Sequence, residues 1–341
     1  MELELLFPKH LRKSMQKLHE LEDLEEIRVR VGQPLFLCTA KKELVLVKKA
    51  NFFEISEFEK DKGCTKIRNG AEEWKGEEIE KSNWLDKRNI YRTTEADMME
   101  MQNYISNYSL YACQEELRNG FLTIEGGHRI GLCGSTKNLN GRLVGISYIS
   151  GINIRIAHER KDCAEQVMKY IRKGEKDIYN TLFASAPGIG KTTLLRDCMR
   201  LLSYGTTECR GKKIGIVDER SEISACYHGI PQNDMGPRTD VIEGCNKTEG
   251  ILLLIRTMSP EVIAVDELGA KEDYEAIEQA VCSGCRIVGT IHARNIKELQ
   301  QKFLIQGWNE KEVFERFIII EKGEEGKRDL HIYDNQWVEL Y

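Results

Sequence analysis

With 341 residues, 41% of them hydrophobic and 31% charged, the chain is long enough for about two globular domains with cores of their own. A net charge of −5 argues against a dedicated nucleic-acid binder, and no stretch reaches the roughly 20 uncharged apolar residues that a bilayer span takes. Eleven scattered cysteines behind an acidic start with no leader-like run read as the reduced thiols of a soluble cytoplasmic protein.

Residues 8–20 predict an amphipathic helix with Leu11, Met15 and Leu18 on one side. Strict alternation over 26–31 predicts a strand with Ile27, Val29 and Val31 inward and Arg28 and Arg30 on a solvated face. A turn at 32–34 leads to a strand at 35–38, with 43–47 as its hairpin partner. Residues 48–92 are dense in Glu and Lys with no sustained period and read as a charged insertion. Phe52, Phe53, Trp74 and Trp84 within it allow a small appended element.

Thr94 and Asp97 set up a capping box for a helix carrying Met98, Met101 and Ile105. A second helix is expected over 110–118, stopping at Gly120. Residues 121–132 predict a hairpin turning at Gly126 and Gly127, Asn140 and Gly141 a further turn, and 152–156 another alternating strand. Together these make a smaller α+β N-terminal domain over 1–158.

Beyond it the pattern changes to helix alternating with strand: helices at 163–172, 250–259 and 273–283, strands at 213–218, 262–265 and 286–291. That order predicts an α/β domain over 163–341, a mainly parallel sheet covered by helices, with ligands bound beyond the carboxyl ends of the strands.

The chemistry-bearing residues fall at such ends. A short apolar run from Thr181 enters the loop Ser185, Ala186, Pro187, Gly188, Ile189, Gly190, Lys191, Thr192 and Thr193, after which a helix begins. Glycines at 188 and 190 let backbone N–H groups close on phosphate oxygens, and the helix start adds its positive dipole end. Lys191 is placed for the β- and γ-phosphates and Thr192 for Mg2+. The usual pattern opens with Gly where this chain has Ser185. ATP with Mg2+ is therefore the expected ligand.

Strand 262–265 ends in Asp266 and Glu267, with Asp266 expected to hold Mg2+ through water and Glu267 to polarise the attacking water. Asp218 and Glu219 repeat the arrangement, which a plain nucleotide kinase lacks, and Glu219 is a second candidate base. His292 ends a third strand and is a candidate sensor of the γ-phosphate. The bland alternatives are a solvated acidic turn and a structural histidine. Cys282 and Cys285 have redox or metal spacing but no second pair, which favours small-residue packing at a helix end. Asn246, Lys247, Thr248 and Glu249 only superficially resemble a base-reading motif.

The phosphate loop, the boxes at 218–219 and 266–267, and Thr290 to His292, in that order, resemble the secretion (traffic) ATPase superfamily of phosphate-loop NTPases. Residues 115–132, 236–240 and 258–267 more specifically resemble the stage III sporulation protein AA family of endospore-forming bacteria. The resemblance covers nearly the whole chain outside 48–92, and in that family the loop often begins Ser-Pro-Pro-Gly, so Ser185 fits and Ala186 for the first Pro is a mild departure. It implies a RecA-like C-terminal domain and a ring oligomer, with a hexamer favoured. It also implies membrane-protein partners in a mother cell–forespore channel complex, with the ATPase peripheral at that membrane rather than spanning it. Relatives in the superfamily send arginines from the N-terminal domain toward the γ-phosphate, and Arg129 and Arg155 look like the counterparts. The rival readings are a RecA-like nucleic-acid motor, which the acidic balance disfavours, and a nucleotide-gated scaffold with little turnover.

Overall fold

The computed structural model describes residues 3–47, 51–54, 90–106, 121–139, 142–206, 209–306, 308, 313–323 and 328–341, and the chain divides into two units, Met1–His158 and Glu159–Tyr341. In the first, α1 (Lys9–Met15) tightens into a 3-10 turn at Gln16–Glu20, so the expected single helix is shorter, yet Leu11, Met15 and Leu18 are all buried. Then come β1 (Leu24–Arg30), β2 (Phe36–Thr39), β3 (Glu43–Val47), β4 (Asn51–Glu54), α2 (Glu95–Ile105), β5 (Leu122–Thr123), β6 (Arg129–Leu139) and β7 (Arg142–Arg155). They form one antiparallel sheet in the order β4-β3-β2-β1-β7-β6-β5. Its inner face, with Ile27, Val29, Leu37, Ile130, Ile152 and Ile154, packs with Met15, Met98 and Met101. The capping box is present: Thr94 Oγ1 accepts from the Asp97 amide, and Asp97 accepts from the Thr94 amide.

Both ends of the charged stretch belong to this sheet. Asn51–Glu54 pairs with β3, Phe52 packs against the core, and buried Ile90 bridges to Val47. Residues 55–89, with Trp74 and Trp84, lie outside the described residues, as do the helix expected at 110–118 and the turn at Asn140 and Gly141. Pairing of β6 with β7 runs from Arg129↔Arg155 to Leu139↔Arg142, well past the expected strands.

The second unit opens with α3 (Glu165–Ile171) and a small hairpin of β8 (Arg172–Lys173) and β9 (Asp177–Ile178). It continues with β10 (Thr181–Ser185), α4 (Lys191–Tyr204), β11 (Ile214–Asp218), β12 (Thr239–Glu243), α5 (Lys247–Thr257) and β13 (Val262–Val265). The last elements are α6 (Lys271–Cys282), β14 (Arg286–His292), α7 (Ile296–Gln306), β15 (Arg316–Lys322) and β16 (Arg328–Asp334). The sheet order is β12-β11-β13-β14-β10-β15-β16, parallel except for the final antiparallel pair.

Every residue of β10, β11 and β13 is buried, as expected of strands covered on both faces. Leu182, Ile263 and Val265 turn toward Ile277 and Phe303, whereas Phe183, Ala264 and Val288 turn toward Leu195 and Met199. This double-sided core fixes the strand ends, and all the chemistry sits on them.

Candidate active site

At the head of α4 the loop adopts two left-handed glycine conformations, Gly188 at φ 77° and Gly190 at φ 105°, which no β-carbon tolerates well. Gly190 is also the N-cap of α4, so the free amides of the first helical turn open onto the loop. Ser185 ends β10 fully buried, with its hydroxyl donating to the Ala186 carbonyl at 2.7 Å. A small residue thus serves where the pattern has Gly.

Lys191 is only 5% exposed, and its Nζ lies 4.0 Å from Glu267 Oε1. The neighbouring Thr192 hydroxyl donates to Asp266 Oδ2 at 3.0 Å. The other oxygen of Asp266 accepts from the Thr290 hydroxyl, whose oxygen in turn accepts the Glu267 amide at 2.8 Å. That amide also reaches Asp266 Oδ1 at 3.1 Å. These bonds hold Glu267 at φ 51°, an uncommon conformation for a non-glycine residue and one found where a site has to aim a side chain.

The Glu267 carboxylate is held from two more sides. His292 Nε2 lies 2.8 Å from Oε1, and Arg220 donates to Oε2 at 2.7 Å. Partial burial pushes the Glu267 carboxyl up, but the His292 hydrogen bond and the charges of Arg220, His292 and Lys191 outweigh it. The group is held below its ordinary range. The second ring nitrogen of His292, Nδ1, is buried with no hydrogen-bond partner among the described residues.

The structure therefore brings Lys191, Thr192, Asp266, Glu267 and His292 together around the loop. Glu219 lies apart from that set, with its carboxylate taken by Lys247 at 2.5 Å. Asp218 is structural: 1% exposed, it accepts from the amides of Glu222, Ile223 and Ser224 and from the Ser224 hydroxyl, and so folds the segment that presents Arg220. Arg129 and Arg155 belong to the first unit, as direct partners across β6 and β7, with Arg129 over the Phe121 ring at 4.5 Å. Sequence reasoning gave Arg220 no role and took Thr290 only as the start of the box that ends in His292. Asn246 is the N-cap of α5, accepting the Glu249 amide at 2.9 Å, and does not read a base. Cys282 is exposed and Cys285 buried, donating to the Pro260 carbonyl.

For a hard divalent cation the donor set fits. A hydroxyl and a carboxylate adjoin at the loop, both oxygen donors, which suits Mg2+ with its other positions taken by water and phosphate. Among the described residues no group of three or more His, Cys, Asp or Glu makes an all-protein cage.

The sequence profile described as sporulation stage III, protein AA matches residues 76–340. The chain is 40% identical over 244 residues to stage III sporulation protein AA of Bacillus subtilis, spanning 72% of this chain and 79% of that one. Among solved structures it is similar to the ATPase DotB of Legionella pneumophila (TM-score 0.57, 14% identity, 96% of this chain and 81% of that one). It is also similar to the pilus retraction motor PilT solved with ADP (TM-score 0.52, 12% identity, 95% of this chain and 82% of that one). At these identities the structural likenesses establish the fold, a RecA-like phosphate-loop domain preceded by a smaller α+β unit.

Proposed function

Because the chain belongs to the sporulation stage III, protein AA family, we propose that it is a Mg2+-dependent ATPase whose ring energises a membrane channel complex between mother cell and forespore. The observation that carries the reading is the Thr192–Asp266 hydrogen bond at the head of α4, with Glu267 and buried Lys191 beside it. In this reading the amides of 186–193 bind the phosphates of ATP, and Lys191 neutralises the β- and γ-phosphates. Thr192, and Asp266 through water, hold Mg2+, which offsets charge on the phosphates.

Glu267 now occupies Lys191 as its anionic partner. An arriving triphosphate takes Lys191 over, and Oε1, still held by His292, keeps its remaining lone pair for the attacking water. A carboxylate kept below its ordinary pKa is a weak proton acceptor, so its work is positioning, the larger part of catalysis in phosphoryl transfer. His292 steadies Glu267 through Nε2, and by that contact senses the γ-phosphate that the carboxylate faces.

Arg129 and Arg155 supply cationic fingers in the assembled ring, a hexamer. The two residues are direct partners across β6 and β7, and Glu26 of β1 is the partner of Arg155 on its other side, so both guanidinium groups rise from one stretch of the sheet. No helix among the described residues is long and apolar enough to cross a membrane. The motor is peripheral on the cytoplasmic side, held by membrane-protein partners. Glu267→Gln tests the reading: it keeps ATP affinity, cuts phosphate release by about 100-fold or more and accumulates the ATP-bound state. If Glu267→Gln loses nucleotide affinity instead, Glu267 organises the metal and the water-orienting role passes to another carboxylate.

A further inference from the structure

The segment that follows β11 is held by a side chain of the phosphate-loop helix. Arg196 lies one turn beyond Thr192 on α4, so the two side chains share a face. Thr192 reaches Asp266 at the end of β13, and Arg196 reaches the backbone just past β11, the neighbouring strand. Its Nε donates to the Ile223 carbonyl and its Nη2 to the Glu222 carbonyl at 2.8 Å, from a half-buried side chain. A planar guanidinium fork fits two successive carbonyls in this way, and a lysine ammonium does not.

The same short segment is gripped from its amide side. Buried Asp218 accepts from the amides of Glu222, Ile223 and Ser224. Asp218 thus ties the segment to β11, and Arg196 ties it to α4. Asn233 Nδ2 adds a bond to the Ile223 carbonyl at 3.2 Å, and Glu243 accepts from the Ser221 hydroxyl at 2.9 Å. Just ahead of the grip stands Ser221 at φ 50°, a left-handed conformation that a non-glycine residue keeps only where its neighbours enforce it. Arg220 immediately precedes it and donates to Glu267 Oε2 at 2.7 Å.

The direction of Arg220 therefore depends on where residues 222–223 sit. We infer that Arg196 is a positioning residue for hydrolysis: by clamping 222–223 to α4 it keeps Arg220 on Glu267. The water-orienting carboxylate is then aligned from the same helix whose head binds the phosphates, and Arg196 acts on turnover through Arg220. The inference rests on the reading of Glu267 above and adds how that carboxylate is tied to α4.

The experiment measures steady-state phosphate release from Mg2+–ATP by the full chain, for the parent, Arg196→Ala, Arg220→Ala and the double variant. Arg196→Ala lowers kcat by about 10–100-fold with KM within about twofold, because the misplacement falls on the water-orienting group and not on the phosphate site. Its acid limb of kcat moves to higher pH as the Arg220 charge drifts from Glu267, whose other cationic neighbours, His292 and Lys191, stay in place. The double variant is no slower than the slower single variant, as expected of two residues acting in series. Arg196→Lys keeps the charge and one donor, so it folds even where the alanine variant does not, and it shows the same changes at smaller size. Losses in kcat that multiply in the double variant, or an acid limb unmoved in both Arg196 variants, overturn the inference. Parental turnover in Glu267→Gln measured alongside removes the reading of Glu267, and this inference with it.

Discussion

Arg220→Ala separates a positioning role from a merely structural one. Arg220 donates to Glu267 Oε2 at 2.7 Å, with its own side chain 66% exposed. An exposed ion pair of this kind contributes about 0.2–1 kcal/mol, so Tm falls by less than about 4 °C. Turnover is affected much more. Without Arg220 one carboxylate oxygen is untethered, and a misplacement on the order of 1 Å at a water-orienting group lowers kcat by up to about 100-fold.

The pH profile supplies the independent readout. Glu267 is held below its ordinary range partly by the Arg220 charge, so the acid limb of kcat lies low in the parent and moves to higher pH in Arg220→Ala. The sign is the same for stability. A depressed carboxyl stabilises the fold above its unfolded pKa, and that contribution is lost as pH falls through the folded pKa, so the variant loses less on acidification. Steady-state phosphate release from pH 4 to 8 and a melting curve make the assay. A parental kcat with an unmoved acid limb refutes the positioning role.

Thr290→Val removes the hydroxyl that donates to Asp266 and accepts the Glu267 amide. With Thr290 fully buried, the loss is about 2 kcal/mol, a Tm lower by about 4–8 °C in a unit of this size, while Thr290→Ser restores both; an unchanged melting curve for Thr290→Val speaks against that network. Arg129→Ala binds ADP like the parent but hydrolyses ATP roughly 1,000-fold more slowly under assembling conditions, and Arg129→Lys does not rescue it because a point charge lacks the guanidinium fork. Parental turnover in Arg129→Ala assigns the finger to Arg155 or to another source.

The sheet of the second unit was legible because its strands are short apolar runs buried on both faces, and the phosphate loop because glycine spacing carries a backbone requirement into sequence. Asp266, Glu267 and His292 were found by position, as polar residues ending apolar strands. Arg220 and the part played by Thr290 were not. Arg220 is two residues past a strand end and acts only through the fold that buried Asp218 imposes on 219–224, while Thr290 lies inside an apolar strand, where a hydroxyl reads as tolerated packing. In the first unit, β4 is four residues long among charges, and its membership shows only in its pairing with β3. The outer part of the β6–β7 ribbon has polar residues such as Ser135, Lys137 and Asn138 with no buried face, so periodicity had nothing to report.

The central claim is that Lys191 and the loop around it bind and turn over ATP. It is tested most directly by phosphate release from Mg2+–ATP by the purified full chain beside Lys191→Ala. Lys191 Nζ has Glu267 as its carboxylate neighbour at 4.0 Å, and Glu267 keeps His292 and Arg220 when the lysine is removed, so the variant is expected to stay folded. The account predicts measurable turnover in the parent that is nearly abolished in Lys191→Ala at an unchanged far-ultraviolet circular dichroism spectrum. Equal turnover in both contradicts it.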